Sequence, residues 1–216
     1  PHPGIIPRDK RRAGTIKRVV FNGFESQLHE DFRSSEWKGY LASRGIEWCS
    51  HDISFKGEGR QDLSQWANFR DVDLIVAVRP NEKGDFVHKP ASKLINSWMA
   101  GVPALLGDEF AYQEIGLPGE DYVRISNLSD AKEAIDKFID NPGVYLDMIS
   151  AGEKKRDLYS HESITRLWAK LLFDTIPMRS DRSKRGYFNG IYRRMPISFR
   201  YRMLSLLKKI SGQATR

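Results

Sequence analysis

The sequence is short of cysteine and of long apolar runs. Cys49 is the only cysteine among 216 residues, so the chain cannot form an internal disulfide, which fits the reducing cytoplasm. No apolar run approaches the roughly 20 residues that a membrane-spanning helix needs. There is no recognisable signal peptide, and the first residue is Pro1 rather than Met. We therefore expect a fragment of a longer protein, or a chain whose upstream residues have been removed.

Several signatures of catalytic and cofactor sites are also missing. Cys49 has no obvious His partner, there is no Gly-x-Ser-x-Gly elbow, and no His/Cys/Asp spacing marks a metal site. A Walker loop and a Gly-x-Gly-x-x-Gly fingerprint are lacking as well. We therefore expect no metal and no resident cofactor. An enzyme such as a sugar-nucleotide epimerase is disfavoured, because it would carry the dinucleotide fingerprint.

The net charge of +7 is unevenly distributed along the chain. Residues 177–216 hold eleven Lys or Arg and one Asp, so this tail carries +10. The other 176 residues hold 24 Lys or Arg and 27 Asp or Glu, a balance of −3. Nucleic acid is disfavoured as a partner, because proteins that bind it usually carry their positive charge on the folded body.

Composition divides the chain into three parts. Residues 1–15 are rich in Pro, Gly and basic residues and predict a linker or an extended arm. Residues 16–176 contain five apolar segments typical of strands, at 16–21, 46–49, 73–78, 103–107 and 122–125. Residues 177–216 mix basic residues with aromatic and aliphatic ones and predict an amphipathic tail.

Helix-length segments separate the predicted strands. Helices are expected over about 28–44, 92–100, 142–158 and 161–173, with two more capped by Asp62 and Ser129. In the last helix, one apolar set is expected to face inward: Ile164, Leu167, Trp168, Leu171 and Leu172. Strands alternating with helices predict an α/β fold, a Rossmann-like parallel sheet flanked by helices.

The segment from Arg79 to Gly107 follows the most apolar strand, so it lies at the carboxyl edge of the predicted sheet, where such folds bind ligands. Pro90 suits the start of a helix, and Lys89, Ser92 and Lys93 lie beside its first-turn amides. Amides, a hydroxyl and two ammonium groups at one helix end suit a diphosphate. Incidental solvated charges are the alternative.

A glycine ends the first predicted strand at the same edge. Gly23 would let backbone amides approach a phosphate or a base closely. The same glycine is common in βαβ folds, so this is a weak signal for a ligand.

The run KPASKLINSWMAGVPALLG resembles the donor-site helix of GT-B-type glycosyltransferases. Better-known members carry a Glu, seven residues, a second Glu and a turn ending in Gly-x-Pro. Here Ala100 to Pro103 match the turn, while His88 and Asn96 stand in the places of the two glutamates. This form resembles a divergent bacterial branch of the family. The specific resemblance spans roughly residues 70–115, and a looser one covers about 16–175.

The resemblance implies the C-terminal, donor-binding domain of a glycosyltransferase, which moves a sugar from a nucleotide-diphosphate sugar to a polysaccharide, lipid or protein glycan. It implies that Arg79 faces the diphosphate, that His88 contacts the sugar and that Asn96 contacts the ribose. The alternatives are a surface salt bridge from Arg79 to Glu82 or Asp85, and no special role for His88.

The turn after Gly107 opens a further helix in this family, often with a Glu a few residues in. Glu114 is the closest match to that Glu, and Tyr112 could stack on a base or a sugar. The alternative is that Asp108 caps the helix and Glu114 faces water.

The resemblance also implies that an N-terminal acceptor domain is missing from this chain. The rival interpretation is a non-catalytic binding or scaffold module that kept the fold and lost the two carboxylates. For the tail, contact with an anionic membrane surface and packing against the missing domain both remain open, and nucleic acid ranks behind them.

Overall fold

The computed structural model describes residues 1–12, 14–52, 64–80 and 88–176. The strands in these ranges are β1 (Arg18–Gly23), β2 (Glu47–Asp52), β3 (Leu74–Ala77), β4 (Ala104–Leu106) and β5 (Val123–Arg124). The helices are α1 (Ser35–Ser43), α2 (Ser64–Ala67), α3 (Ser92–Ala100), α4 (Phe110–Ile115), α5 (Leu128–Asp140), α6 (Pro142–Arg156) and α7 (His161–Lys170). The chain separates into two compact units, Pro1–Asp157 and Leu158–Arg216.

The five strands form one parallel sheet in the order β2-β1-β3-β4-β5. This confirms the predicted α/β, Rossmann-like fold. The chain moves from β1 outward to β2, returns to the other side of β1 for β3, and continues in that direction. The strand order therefore reverses between β1 and β3, and ligands of such sheets bind beyond the carboxyl ends of the strands at this point.

Helices cover both faces of the sheet. The step from β1 to β2 and the step from β3 to β4 go in opposite directions across the sheet. Because such connections are right-handed, α1 and α3 lie on opposite faces. Tyr40 of α1 donates a hydrogen bond of 2.9 Å to Asp136 of α5. On the α3 side, Gly152 of α6 packs so closely that a Cβ there would lie 2.5 Å from the Trp98 ring.

The central strand shows why the sheet forms. Leu74, Ile75, Val76 and Ala77 are all buried, as expected for a strand covered on both faces. Asp73 directly precedes them and is fully buried. Its carboxylate accepts hydrogen bonds from the side chains of the N-terminal arm, namely Arg8 and Arg12, and from the backbone N–H groups of Lys17 and Arg18.

Two predicted helix starts differ from the structure. The segment expected to be helical from about residue 28 begins with short 3-10 turns, and α1 starts only at Ser35, because the Ser34 side chain accepts from the Trp37 N–H at 3.1 Å. The cap predicted at Ser129 is wrong, since Asn127 accepts from the Asp130 N–H at 2.9 Å and caps α5. The predicted cap at Asp62 lies outside the described residues.

In the second unit, residues 158–176 are described, and α7 continues into a π-helical turn at Leu171–Thr175. Leu167, Trp168 and Leu171 are exposed, so the prediction that they face inward is wrong. The predicted tail at 177–216 lies outside the described residues. Within the described part of the chain, no helix is both long enough and apolar enough to cross a membrane.

Candidate functional site

The carboxyl edge of the sheet brings together four segments of the first unit. Gly23 ends β1, Arg79 follows β3 by two residues, Gly107 follows β4, and α3 begins nearby at Ser92. Gly107 lies close against the end of β3, since a Cβ there would be 3.4 Å from Val78 Cα. The residues predicted to bind the diphosphate are therefore on segments that meet at the switch point of the sheet.

The N-terminus of α3 has no side-chain cap. Ala91 is its N-cap residue, and no side-chain hydrogen bond caps the helix there. Ser92 is an exposed residue of the first turn rather than the cap. The first-turn N–H groups and the positive end of the helix dipole can therefore serve an anion.

Lys93 lies in that first turn and points toward the first strand. Its Nζ is 5.7 Å from the centroid of the Phe21 ring. Burial, reinforced by the positive charge of Arg79, lowers the pKa of Lys93 to about 8. Within the described residues, no carboxylate forms an ion pair with Lys93. A bound anion would favour the charged form of this amine.

Phe21 and Gly23 pack on each other beneath Lys93. A Cβ at position 23 would lie 2.6 Å from Phe21 Cζ, so a glycine is required for the phenyl ring to occupy its place. The structure thus gives Gly23 a packing role, while its approach to a ligand stays a prediction.

Arg79 forms a buried ion pair that the sequence did not indicate. Its Nε donates to Glu109 Oε1 at 3.0 Å, and its Nη1 donates to Gln27 Oε1 at 2.9 Å. The Glu109 side chain is only 5% exposed. The alternative partners considered for Arg79, Glu82 and Asp85, lie outside the described residues. The available hint in the sequence was the position of Glu109, just after a buried strand and next to a helix start, but this position does not identify Arg79 as its partner.

Two predictions for the segment after β4 are wrong. Tyr112 is 1% exposed and its ring centroid lies 6.4 Å from that of Tyr122 in the core, so it cannot stack on a base or a sugar. Burial, with the nearby charge of Glu109, raises the pKa of Tyr112. Asp108 does not cap α4, because its carboxylate accepts from Gln113 and Arg124 instead.

The remaining predicted residues lie just before α3, within α3 and at the end of α4. His88 and Lys89 are exposed just before α3, and Glu114 is exposed in the last turn of α4. Asn96 Oδ1 accepts from the backbone N–H of His2 at 2.9 Å, so the N-terminal arm occupies the oxygen predicted to hold the ribose. Their roles at a ligand stay predictions. No group of three or more metal-ligating side chains occurs among the described residues.

Comparisons with known proteins find solved structures that are similar to this chain. No protein-family model and no curated protein matches the sequence. The GtfA/B complex matches with a TM-score of 0.54 and 13% identity, over 78% of this chain and 37% of that chain. The C-terminal domain of a glycosyl transferase group 1 family protein, LpcC from Francisella tularensis, matches with a TM-score of 0.42 and 13% identity, over 69% and 86%. Sucrose-phosphate synthase from Thermosynechococcus elongatus matches with a TM-score of 0.46 and 12% identity, over 82% of this chain and 50% of that chain.

The likeness to the GtfA/B complex shows a shared fold. This chain spans 37% of the length of that protein. Lys93 and Arg79 lie at the switch point of this fold, and their role at a ligand stays a prediction.

Proposed function

We propose that this chain is the donor-binding domain of a GT-B-type glycosyltransferase. It binds a nucleotide-diphosphate sugar, whose sugar passes to a polysaccharide, lipid or protein glycan. The observation that carries this proposal is Lys93, a partly buried ammonium group at the uncapped start of α3, with no ion-pair partner within the described residues. A diphosphate would supply Lys93 with the anionic partner that it lacks among the described residues.

The proposed diphosphate contacts come from two segments. Lys93, the Ser92 hydroxyl and the first-turn amides belong to α3, and exposed Lys89 lies three residues before Ser92. Arg79 adds a second positive group, whose orientation is fixed by Glu109 and Gln27. As the glycosyl bond breaks, negative charge grows on the leaving diphosphate, and prepositioned positive groups stabilise it.

The proposed contacts to the rest of the donor are less direct. His88 and Glu114 are exposed and available to the sugar. Asn96 can reach a ribose once its amide oxygen exchanges the His2 N–H for a ribose hydroxyl. The donor is a substrate, and no resident cofactor is proposed. An acceptor domain, N-terminal to this chain in the whole protein, would supply the acceptor and an acid or a base.

A non-catalytic binding module is the second candidate. It is favoured by His88 and Asn96, which stand where the resembling family carries two glutamates. Such a module would bind the nucleotide and never turn it over. Transfer and hydrolysis assays on the full-length protein therefore separate the two candidates, provided that donor binding is first established.

Calorimetry tests the donor site. We expect nucleoside diphosphates and their sugar derivatives to bind, and unphosphorylated nucleosides to bind much more weakly. Lys93→Met should weaken diphosphate binding by about 1.5–3 kcal/mol, the range for a hydrogen bond to a charged group. Lys137→Met removes an exposed lysine from the last turn of α5 and should leave affinity unchanged. Unchanged affinity in the Lys93 variant would remove Lys93 from the site.

A further inference from the structure

Helix α7 exposes a stripe of large apolar side chains. Leu167 is 61% exposed, Trp168 57% and Leu171 41%. These residues, with Ile164, follow the i, i+3, i+4, i+7 spacing that places side chains along one side of a helix. A stripe of this kind normally packs on a neighbouring element, so its exposure indicates an interaction surface.

The charged residues of α7 lie along another side of the helix. Glu162, Arg166 and Lys170 are spaced four residues apart, and Arg166 pairs with Glu162 at 2.6 Å. These charges nearly cancel, so α7 alone has little electrostatic preference for a partner. The stripe itself is uncharged and consists of an isoleucine, a tryptophan and two leucines.

Strong positive charge follows directly in the sequence. Residues 177–216, which come after α7, carry +10 and have thirteen large apolar residues between Tyr187 and Ile210. A protein partner would need a dense acidic surface to match this charge. An anionic lipid surface supplies such charge everywhere, and it accepts apolar side chains at the boundary between headgroups and acyl chains.

We propose that α7 and the basic tail bind the surface of an anionic lipid bilayer. Leu167, Trp168 and Leu171 enter the headgroup boundary, where tryptophan is favoured because its ring is apolar and its N–H is polar. The tail adds electrostatic attraction. This surface goes beyond the donor site, because vesicle binding requires no nucleotide.

Vesicle co-sedimentation of the whole 216-residue chain tests the proposal. We expect binding to vesicles of equal phosphatidylcholine and phosphatidylglycerol, and at least about tenfold weaker partitioning into pure phosphatidylcholine. The triple variant Leu167→Ser/Trp168→Ser/Leu171→Ser should lose at least about tenfold in partitioning. A matched triple variant, Leu117→Ser/Ile139→Ser/Leu146→Ser, removes exposed apolar residues of the first unit and should partition as the wild type does.

Two further measurements distinguish the contribution of the tail charge from that of the α7 stripe. Replacing four tail arginines, Arg193, Arg194, Arg200 and Arg202, with glutamine should weaken binding to anionic vesicles by at least about tenfold. The emission of the wild-type protein should shift to shorter wavelength on binding, and Trp168→Phe should remove most of that shift.

Three outcomes would overturn the proposal. If the α7 variant binds anionic vesicles as well as the wild type, the stripe does not contact lipid. If the chain binds neutral and anionic vesicles equally, the tail charge plays no part. If no vesicle is bound and the α7 variant instead abolishes self-association in sedimentation velocity, the stripe is a protein interface.

Discussion

The Arg79 guanidinium and the buried Glu109 carboxylate form an ion pair across the carboxyl edge of the sheet, with Nε 3.0 Å from Oε1. Arg79 follows β3, Glu109 precedes α4, and the same guanidinium reaches Gln27 in the segment after β1. One side chain therefore connects the segments that follow three neighbouring strands. This arrangement fixes a positive group at the switch point of the sheet.

Removing Arg79 alone should destabilise the protein strongly. Arg79→Met leaves the Glu109 carboxylate, which is 5% exposed, without its cation, and breaking such a pair costs about 3–5 kcal/mol. The double variant Arg79→Met/Glu109→Gln should recover much of this loss, and urea unfolding measures both. The exposed pair in α7 is the control, where Arg166→Met should cost less than about 1 kcal/mol. An equally small effect at Arg79 would show that the pair contributes little.

Diphosphate affinity should fall as the pH rises above about 8. The pKa of Lys93 is lowered to about 8 in the free protein by burial and by Arg79, and a bound anion must raise it. Affinity is therefore highest below pH 8 and is lost as the pH rises through the pKa of the complex. Binding near pH 8 should take up protons, which appears as a dependence of the calorimetric enthalpy on the buffer.

The Lys93→Met variant is the control for this pH profile. This variant should bind the diphosphate weakly. Between about pH 7 and pH 10 its affinity should change only as the titration of the ligand itself requires. A pH profile in Lys93→Met identical to that of the wild type would assign the dependence to another group.

Gly23→Ala should destabilise the edge of the sheet. The new methyl group would lie 2.6 Å from Phe21 Cζ, so the ring beneath Lys93 must move, at a cost of about 1–3 kcal/mol. Gly39 in α1 is a matched control, because a Cβ there has no atom within 4 Å, and Gly39→Ala should stabilise the helix by up to about 1 kcal/mol. Thermal unfolding compares the two, and a stabilised Gly23→Ala variant would contradict the packing seen at Phe21.

Asp73 should make stability sensitive to acid. Burial alone would raise the pKa of Asp73, but hydrogen bonds from Arg12 and from the backbone of Lys17 and Arg18 outweigh it and lower the pKa. Because the folded-state pKa is lowered, the stabilisation is complete above the unfolded value of about 3.9 and is lost as the pH falls through the folded value.

Asp73→Asn tests this contribution. It should be less stable than the wild type at about pH 7, by roughly 3–5 kcal/mol, because Arg8 and Arg12 lose their carboxylate. The difference should shrink as the pH falls below about 4, because the unfolded wild type takes up a proton there before the folded protein does, and it should vanish once the pH is below the folded-state pKa as well. A difference that is constant across this range would mean that the charge of Asp73 is not what binds the arm.

Local sequence patterns predict most of the fold. The segment 92–100 predicts α3 at its observed bounds, because Gly101, with a φ of 67°, ends the helix. The unbroken apolar run at 74–78, within the predicted strand 73–78, likewise predicts the buried strand β3. Cap positions are less predictable, since Asn127 and Ser129 are both good cap residues and only the backbone geometry selects Asn127.

The site is less predictable because it depends on contacts between distant residues. Arg79 and Glu109 are 30 positions apart, and no local pattern indicates that they pair. Tyr112 and Glu114 are both plausible ligand contacts in sequence, but the register of α4 buries the first and exposes the second. Leu167 and Trp168 follow the spacing of a buried helix face, and spacing does not specify what covers that face.

Amide chemical shifts on addition of a nucleoside diphosphate show whether the start of α3 binds the diphosphate. We expect the largest shifts at the N–H groups of Ser92, Lys93 and Leu94 in the first turn of α3, with smaller ones near Arg79. The unphosphorylated nucleoside should leave the α3 amides unchanged, because these amides are proposed to bind the diphosphate. Saturating binding without shifts at the start of α3, or shifts confined to another surface, would mean that the diphosphate does not bind there.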